Sequence, residues 1–350
     1  MHNQKSLATP LLTWFEQHGR HDLPWQKNPT PYRVWISEIM LQQTQVATVI
    51  PYYQKFIRRF SSSKTLALAP EDEVLAYWSG LGYYRRARNL HRTAQLIHHH
   101  YHGRFPTTVN ELMQLPGIGR STAGAILSLG MNKPAAILDG NVKRVLTRYH
   151  AIPDWPGKTN VIDQLWRLAE KYTAWQRCRD YNQAIMDLGA LLCTRTKPQC
   201  HRCPLCHSCE AHQQGQETHY PIKKSKSLPR REKATRMLLL VNSDHEILLE
   251  KRPSQGIWGG LWSFPECPMD SDVMQWGQEH FQCQILSSET WPRLSHAFTH
   301  FQLEIEPVVL KIKRNHTKCP PSWAWCGPNK VSPGGRPAPV IQLLKKFYQQ

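Results

Sequence analysis

The chain has 350 residues, 44 Lys and Arg against 26 Asp and Glu, a formal charge of +18 and 40% hydrophobic residues. That balance excludes a disordered tail and a disulfide-stapled miniprotein, and the length predicts two domains. The longest apolar run is the five residues Met237-Leu-Leu-Leu-Val241, far short of the ~18 that span a bilayer. Nor does the N-terminus read as a signal peptide, so an intracellular, cytoplasmic protein is expected.

From Thr9 to about His212 apolar residues recur at spacings of three and four, as in Val34, Ile36, Ile39, Met40, Val46, Val49 and Ile50, which predicts an all-α region. Residues 223–233 hold six basic residues and one acidic residue without apolar period, and read as a linker. Beyond it, 236–241, 246–250 and 301–306 read as strands and Pro337 to Tyr348 as a closing helix, an α+β domain.

The positive charge is spread over both regions, +11 for 1–222 and +7 for 223–350, with no basic amphipathic helix. A phosphate polyanion therefore suits it better than a membrane surface. Six of the ten cysteines fall between 178 and 209. In a reducing compartment such a density points to a metal site rather than to disulfides.

Four groups of residues can carry chemistry. Leu115-Pro-Gly-Ile-Gly-Arg-Ser-Thr122 joins two helical segments. It reads either as an ordinary turn or as a helix-hairpin-helix in which Gly117 and Gly119 expose backbone N–H groups to a DNA phosphate at a helix N-terminus. Asp139, in Ile137-Leu-Asp-Gly-Asn-Val142, lies 18 residues after Ser121. It is either a helix N-cap or, beside a phosphate-gripping hairpin, a carboxylate facing the sugar of a bound nucleotide. Glu38 follows Ser37 and sits among Ile36, Ile39 and Met40. Its two readings are a first-turn glutamate favoured by the helix dipole and an apolar-set acid of raised pKa. Together Glu38 and Asp139 supply the acid and the anion that glycosidic cleavage needs. Cys193, Cys200, Cys203 and Cys209 are separated by six, two and five residues. Four thiolates in a short loop bind either zinc or a [4Fe–4S] cluster.

With these residues in view, the chain resembles adenine DNA glycosylases of the MutY type, in the helix-hairpin-helix superfamily. Leu23-Pro-Trp25, Ser37-Glu-Ile-Met-Leu-Gln-Gln-Thr-Gln-Val46, Gly80-Leu-Gly-Tyr-Tyr84, the hairpin, Leu138-Asp-Gly-Asn-Val142 and the cysteine spacing occur in the family's order. The resemblance implies a [4Fe–4S] cluster on the four cysteines, and a monomer that acts on double-stranded, nucleoid DNA and excises adenine mispaired with 8-oxoguanine or guanine. By family position Glu38 protonates the adenine and Asp139 stabilises the sugar cation, with Asn141 beside it. Trp25, Gln183 and Asp187 line the adenine pocket, and Gln42 and Tyr83 probe the opened duplex. Ser121 stands where strand-cutting relatives carry a Schiff-base lysine, which implies a monofunctional enzyme.

The implied architecture is a helix-hairpin-helix glycosylase region with its cluster loop over 1–222, the linker over 223–233, and a Nudix-like 8-oxoguanine reader over 234–350. The reader's recognition loop is Phe298-Thr-His300, where the family has serine in the middle. The Nudix box keeps Gly260 and Glu266 but has Met274-Gln-Trp-Gly277 in place of its acidic end, which argues against pyrophosphate hydrolysis. The rival readings are a sister glycosylase with strand cleavage, a DNA-binding protein with structural zinc, and a Nudix hydrolase.

Overall fold

The computed structural model describes residues 7–224, 231–313, 320–328, 330 and 333–349. These form two compact units, divided as 1–68 with 89–227 and 69–88 with 228–350. The first region is thus interrupted, which a boundary at 222 does not anticipate. Residues 69–88 find their partners in the C-terminal part: Lys251 pairs with Asp72 at 2.7 Å, Arg336 N–H donates to Ser79 Oγ at 3.0 Å, and Tyr84 Oη donates to Arg336 O at 2.6 Å.

The helices are α1 (Ala8–His18), α2 (Pro31–Leu41), α3 (Val46–Arg59), α4 (Ser63–Ala67), α5 (Glu71–Trp78), α6 (Arg85–His99), α7 (Val109–Met113), α8 (Arg120–Ala125), α9 (Gly140–Tyr149), α10 (Thr159–Tyr172), α11 (Cys178–Leu191) and α12 (Glu210–Gln213). The core of the first unit is built by the apolar faces of α1, α9, α10 and α11, which bring Leu11, Phe15, Val145, Leu146, Leu165, Ile185 and Leu188 together. Beyond α8 the chain continues as one wide π turn over Ile126–Gly130, whose Leu129 packs with Val34 of α2. The hairpin region thereby rests on the helix that carries Glu38.

The second unit holds a sheet with the strands β1 (Arg231–Val241), β2 (Ile247–Lys251), β3 (Trp262–Ser263), β4 (Glu266–Cys267), β5 (Ile285–Thr290), β6 (Leu294–Ala297), β7 (Phe301–Ile312) and β8 (Trp323–Cys326). Its path is β3-β2-β1-β7-β5, with β4 on β1, β6 on β7 and β8 on β2. β1 and β7 run parallel from Arg231 opposite Phe301 to Val241 opposite Lys311, and the other pairs are antiparallel. Met237, Leu239 and Val241 meet Val340, Leu343 and Leu344 of the closing helix α14 (Ala338–Tyr348), while Leu238 and Leu240 meet Phe281 of α13 (Val273–Phe281). Both faces are covered, so this strand reads as an unbroken apolar run rather than an alternation.

Residues 231–233, read above as linker, are the start of β1. Their side chains are exposed, and backbone pairing with 301–303 rather than burial makes them strand. Residues 225–230 lie outside the described residues.

Candidate active site

The start of α2 decides what Glu38 can be. Thr30 caps the helix, accepting from Arg33 N–H at 3.2 Å, with Pro31 at the first position. Ser37 is therefore internal and buried, its Oγ donating to Val34 O at 2.8 Å, and the first-turn reading of Glu38 is overturned. Glu38 stands in the C-terminal half of the helix, where the dipole disfavours an anion. It is partly buried, and burial together with the neighbouring Asp139 charge pushes its pKa up to about 8.

Asp139 is an N-cap, and this role is compatible with facing Glu38. One carboxylate oxygen accepts from Val142 N–H at 2.7 Å and the other from Asn141 Nδ2 at 3.1 Å. Burial raises its pKa, opposed by those hydrogen bonds and by the Arg144 charge. The donors converge on Asp139, so the negative charge of the pair is favoured there and the proton on Glu38.

Asn141 is itself held. Arg144 Nη2 donates to Asn141 Oδ1 at 2.8 Å and to Gly189 O at 2.5 Å, and Arg144 Nε donates to Cys193 O at 2.7 Å. Ser121, the second residue after the hairpin's Gly119, accepts from Leu138 N–H at 3.2 Å and so ties α8 to the segment that delivers Asp139. In the hairpin Gly117 has φ +79°, which L side chains rarely adopt. Gly119 caps α8 at φ −91°, and a Cβ there would meet nothing within 4 Å. Protein packing does not demand a glycine at 119, which leaves open backbone that a phosphate can approach.

A cleft of about 180 Å³ is lined by Trp25, Gln26, Val34, Ser37, Arg179 and Gln183, among others. Trp25 is fixed in it by an edge-on contact with Tyr53, ring centroids 5.4 Å apart. Asp187, expected in the pocket wall, is instead fully buried behind it. It accepts from Arg20 N–H at 2.7 Å, Arg20 Nε at 3.0 Å and Gln183 Nε2 at 3.0 Å, and so orients Gln183 and the loop bearing Trp25. Gln42 ends α2, and the exposed Gln43 after it has φ 59°. In the second unit Tyr83, 52% exposed, has φ 50° and touches Thr299, Oη to Oγ1 3.4 Å. Left-handed backbone at non-glycine residues is uncommon and gathers at functional positions.

Cys193, Cys200, Cys203 and Cys209 line one small cavity, walled by Leu188, Leu192 and Leu205. Arg148, 2% exposed, crosses it: its guanidinium donates to Cys193 Sγ at 3.3 Å, Thr194 O at 2.7 Å, Arg195 O at 3.1 Å and Tyr220 O at 2.9 Å. Four convergent sulfurs, apolar walls and one buried cation match the donor set of a [4Fe–4S] cluster. Cys206 lines the same cavity, and Cys200 also lies with His212 and Glu217 in a group of possible metal ligands.

In the second unit Phe298-Thr-His300 forms the tip of the β6–β7 hairpin. Phe298 stacks on Phe301 at 4.4 Å and is partly buried, while Thr299 and His300 are exposed. Glu266 is ion-paired with Arg252, and Met274 to Gly277 lie within α13.

Sequence reading passed over Arg20, Arg144, Arg148 and Arg179. The partners of the first three lie 45 to 167 residues away for the bonds that matter here, so no local pattern marks them.

Residues 36–171 match the HhH-GPD superfamily of base excision DNA repair proteins, and 236–346 match the NUDIX domain. An adenine DNA glycosylase from Buchnera aphidicola is 40% identical over 344 residues, covering 96% of this chain and 95% of that protein. The adenine DNA glycosylase of Homo sapiens is 33% identical over 407 residues, covering 97% of this chain and 72% of that protein. Among solved structures, a thermostable thymine-DNA glycosylase superposes with a TM-score of 0.55 at 30% identity, over 59% of this chain and 95% of the other. The chain belongs to the adenine DNA glycosylase family, MutY-type hydrolases of base excision repair that join a helix-hairpin-helix core to a Nudix-like domain.

Proposed function

We propose that the enzyme is a monofunctional glycosylase acting as a monomer on duplex DNA, and that it releases adenine mispaired with 8-oxoguanine or guanine. The observation that carries this is Glu38, half-buried beside the Asp139 charge, with its pKa pushed up to about 8. A carboxylic acid that keeps its proton at neutral pH can give it to N7 of an extruded adenine. The C1′–N9 electrons then leave with a neutral base. Asp139, its carboxylate fixed by Val142 and Asn141, stabilises the resulting sugar cation until water adds at C1′ and a proton returns to Glu38. Ser121 offers no amine for a Schiff base, so the strand stays intact.

The cleft with Trp25 and Gln183 is the place for the base, and the hairpin glycines, followed by the start of α8, are the place for a backbone phosphate. Gln42 and Tyr83 meet the opened duplex, and the exposed tip Phe298-Thr-His300 reads the opposing 8-oxoguanine. Cys193, Cys200, Cys203 and Cys209 would hold a [4Fe–4S] cluster, which when bound supplies a cross-link across a loop otherwise held by Arg148. Without the acidic end of a Nudix box, and with Glu266 engaged by Arg252, the second unit binds rather than hydrolyses.

The test is single-turnover base release from duplexes carrying adenine opposite 8-oxoguanine, adenine opposite thymine, or cytosine opposite 8-oxoguanine, each read with and without alkali. Alkali-dependent cleavage of the adenine strand in the first alone is expected. Asp139→Asn should abolish release while DNA binding survives. Strand cleavage without alkali, or release by that variant, would overturn the assignment.

A further inference from the structure

Arg179 is the second residue of α11 and stands on the wall of the cleft that holds Trp25 and Gln183. Its Nε is buried and has no hydrogen-bond partner among the described residues. The two acids of its own helix are engaged elsewhere. Asp180 accepts from Arg177 at 3.0 and 2.8 Å, and Asp187 is taken up by Arg20 and Gln183. Buried guanidinium donors in folded proteins are normally satisfied, and an orphan in a binding cleft calls for a group that completes it.

The cleft's other polar side chains do not substitute for this donor. The amides of Gln26 and Gln183 both donate and accept, whereas a guanidinium only donates and carries a fixed charge. We propose that Arg179 is a further substrate-binding residue, donating to an acceptor nitrogen on the six-membered ring of the extruded adenine, N1 or N3. This rests on the reading of the cleft as the adenine pocket. In that reading N7 receives the proton of Glu38, which leaves N1 and N3 as the acceptors in the ring. A flanking phosphate is the less apt partner, because a backbone phosphate stays at the solvent mouth of the cleft while Nε lies within its wall.

The experiment compares the iron-loaded full-length enzyme with Arg179→Ala on duplexes carrying adenine, 1-deazaadenine or 3-deazaadenine opposite 8-oxoguanine. The readout is the ratio of wild-type to variant excision rate on each. A charged hydrogen bond lost from the base predicts a deficit of roughly tenfold or more on adenine. That deficit should disappear on the analogue that lacks the acceptor. Binding to the abasic product duplex, absorbance near 400 nm and Tm should stay at wild-type values, since an empty pocket does not use the contact. An equal deficit on all three bases, or weakened binding to the abasic duplex, would overturn the proposal in favour of a phosphate contact or a purely structural role. Failure of the wild-type enzyme to excise adenine would instead sink the reading of the cleft itself.

Discussion

Gly189 of α11 lies so close to Asn141 of α9 that a Cβ placed on it would sit 2.7 Å from the Asn141 Cβ. The same two residues share the Arg144 guanidinium, and Asn141 in turn holds Asp139. The helix that leads into the cysteine loop and the helix that Asp139 caps are thus in register through one close contact. Gly189→Ala should force α9 and α11 apart, costing about 1–3 kcal/mol of stability by overpacking. It should also slow base release more than it weakens DNA binding. Thermal melting and single-turnover kinetics on the same preparation check both; wild-type kinetics in a destabilised variant would disconnect Asn141 from the chemistry.

The Glu38 pKa, moved from 4.5 to about 8, has two consequences, and both activity and stability decline as pH rises. As an acid it works while protonated, so the single-turnover rate should hold through neutrality and fall as pH rises through about 8. For stability, a folded pKa above the unfolded one favours the fold fully below the unfolded value of 4.5, and that contribution is lost as pH rises through the folded value near 8. Glu38→Gln removes the charge for which burial and Asp139 make ionisation costly. It should therefore lower activity by roughly 10²-fold or more yet melt at or above wild-type temperature at pH 8–9, with the advantage shrinking toward pH 4.5. The same melting difference between Glu38→Gln and wild type at pH 4.5 and at pH 8–9 would show that Glu38 ionises without cost, as a solvated carboxylate does.

What could be read from the sequence follows the range of the interactions. The hairpin is legible because Gly117 and Gly119 act locally, and Glu38 and Asp139 because each sits in a short distinctive string. The burial of Asp187 was not, since its partner Arg20 is 167 residues away. β5 carries no strand signal in the sequence, because every residue in it after Ile285 is exposed, which removes the apolar alternation that marks a strand. The beginning of β1 was hidden for the same reason: Arg231-Glu-Lys233 reads as solvated linker, yet its backbone is paired. The placement of Ser37 turned on a cap seven residues upstream, at Thr30.

Gly119 separates folding from binding. Its φ of −91° suits any residue, and a Cβ would meet nothing within 4 Å. Gly119→Ala should therefore fold with unchanged Tm while weakening duplex binding and flattening its salt dependence by roughly one phosphate contact. Gly117→Ala, at φ +79°, should lose stability as well. Equal duplex affinity and salt slope for wild type and Gly119→Ala would remove the hairpin from the DNA interface.

Arg148 ties the cysteine loop to α9. Its buried guanidinium satisfies the carbonyls of Thr194, Arg195 and Tyr220 and donates to Cys193 Sγ. Replacing it by alanine leaves three carbonyls and a sulfur without their donor, at a cost on the order of 3 kcal/mol or more. The charge matters separately, since a buried cation next to a thiolate-bound group offsets negative charge that apolar walls cannot. Arg148→Ala should therefore lower both Tm and iron content. Arg148→Lys, keeping the charge but not the fork, should retain more of the iron than of the stability. Iron per chain and absorbance near 400 nm, set beside melting curves for the two variants, separate these roles. Full iron occupancy in Arg148→Ala would show that the four cysteines hold the group without help from the cation.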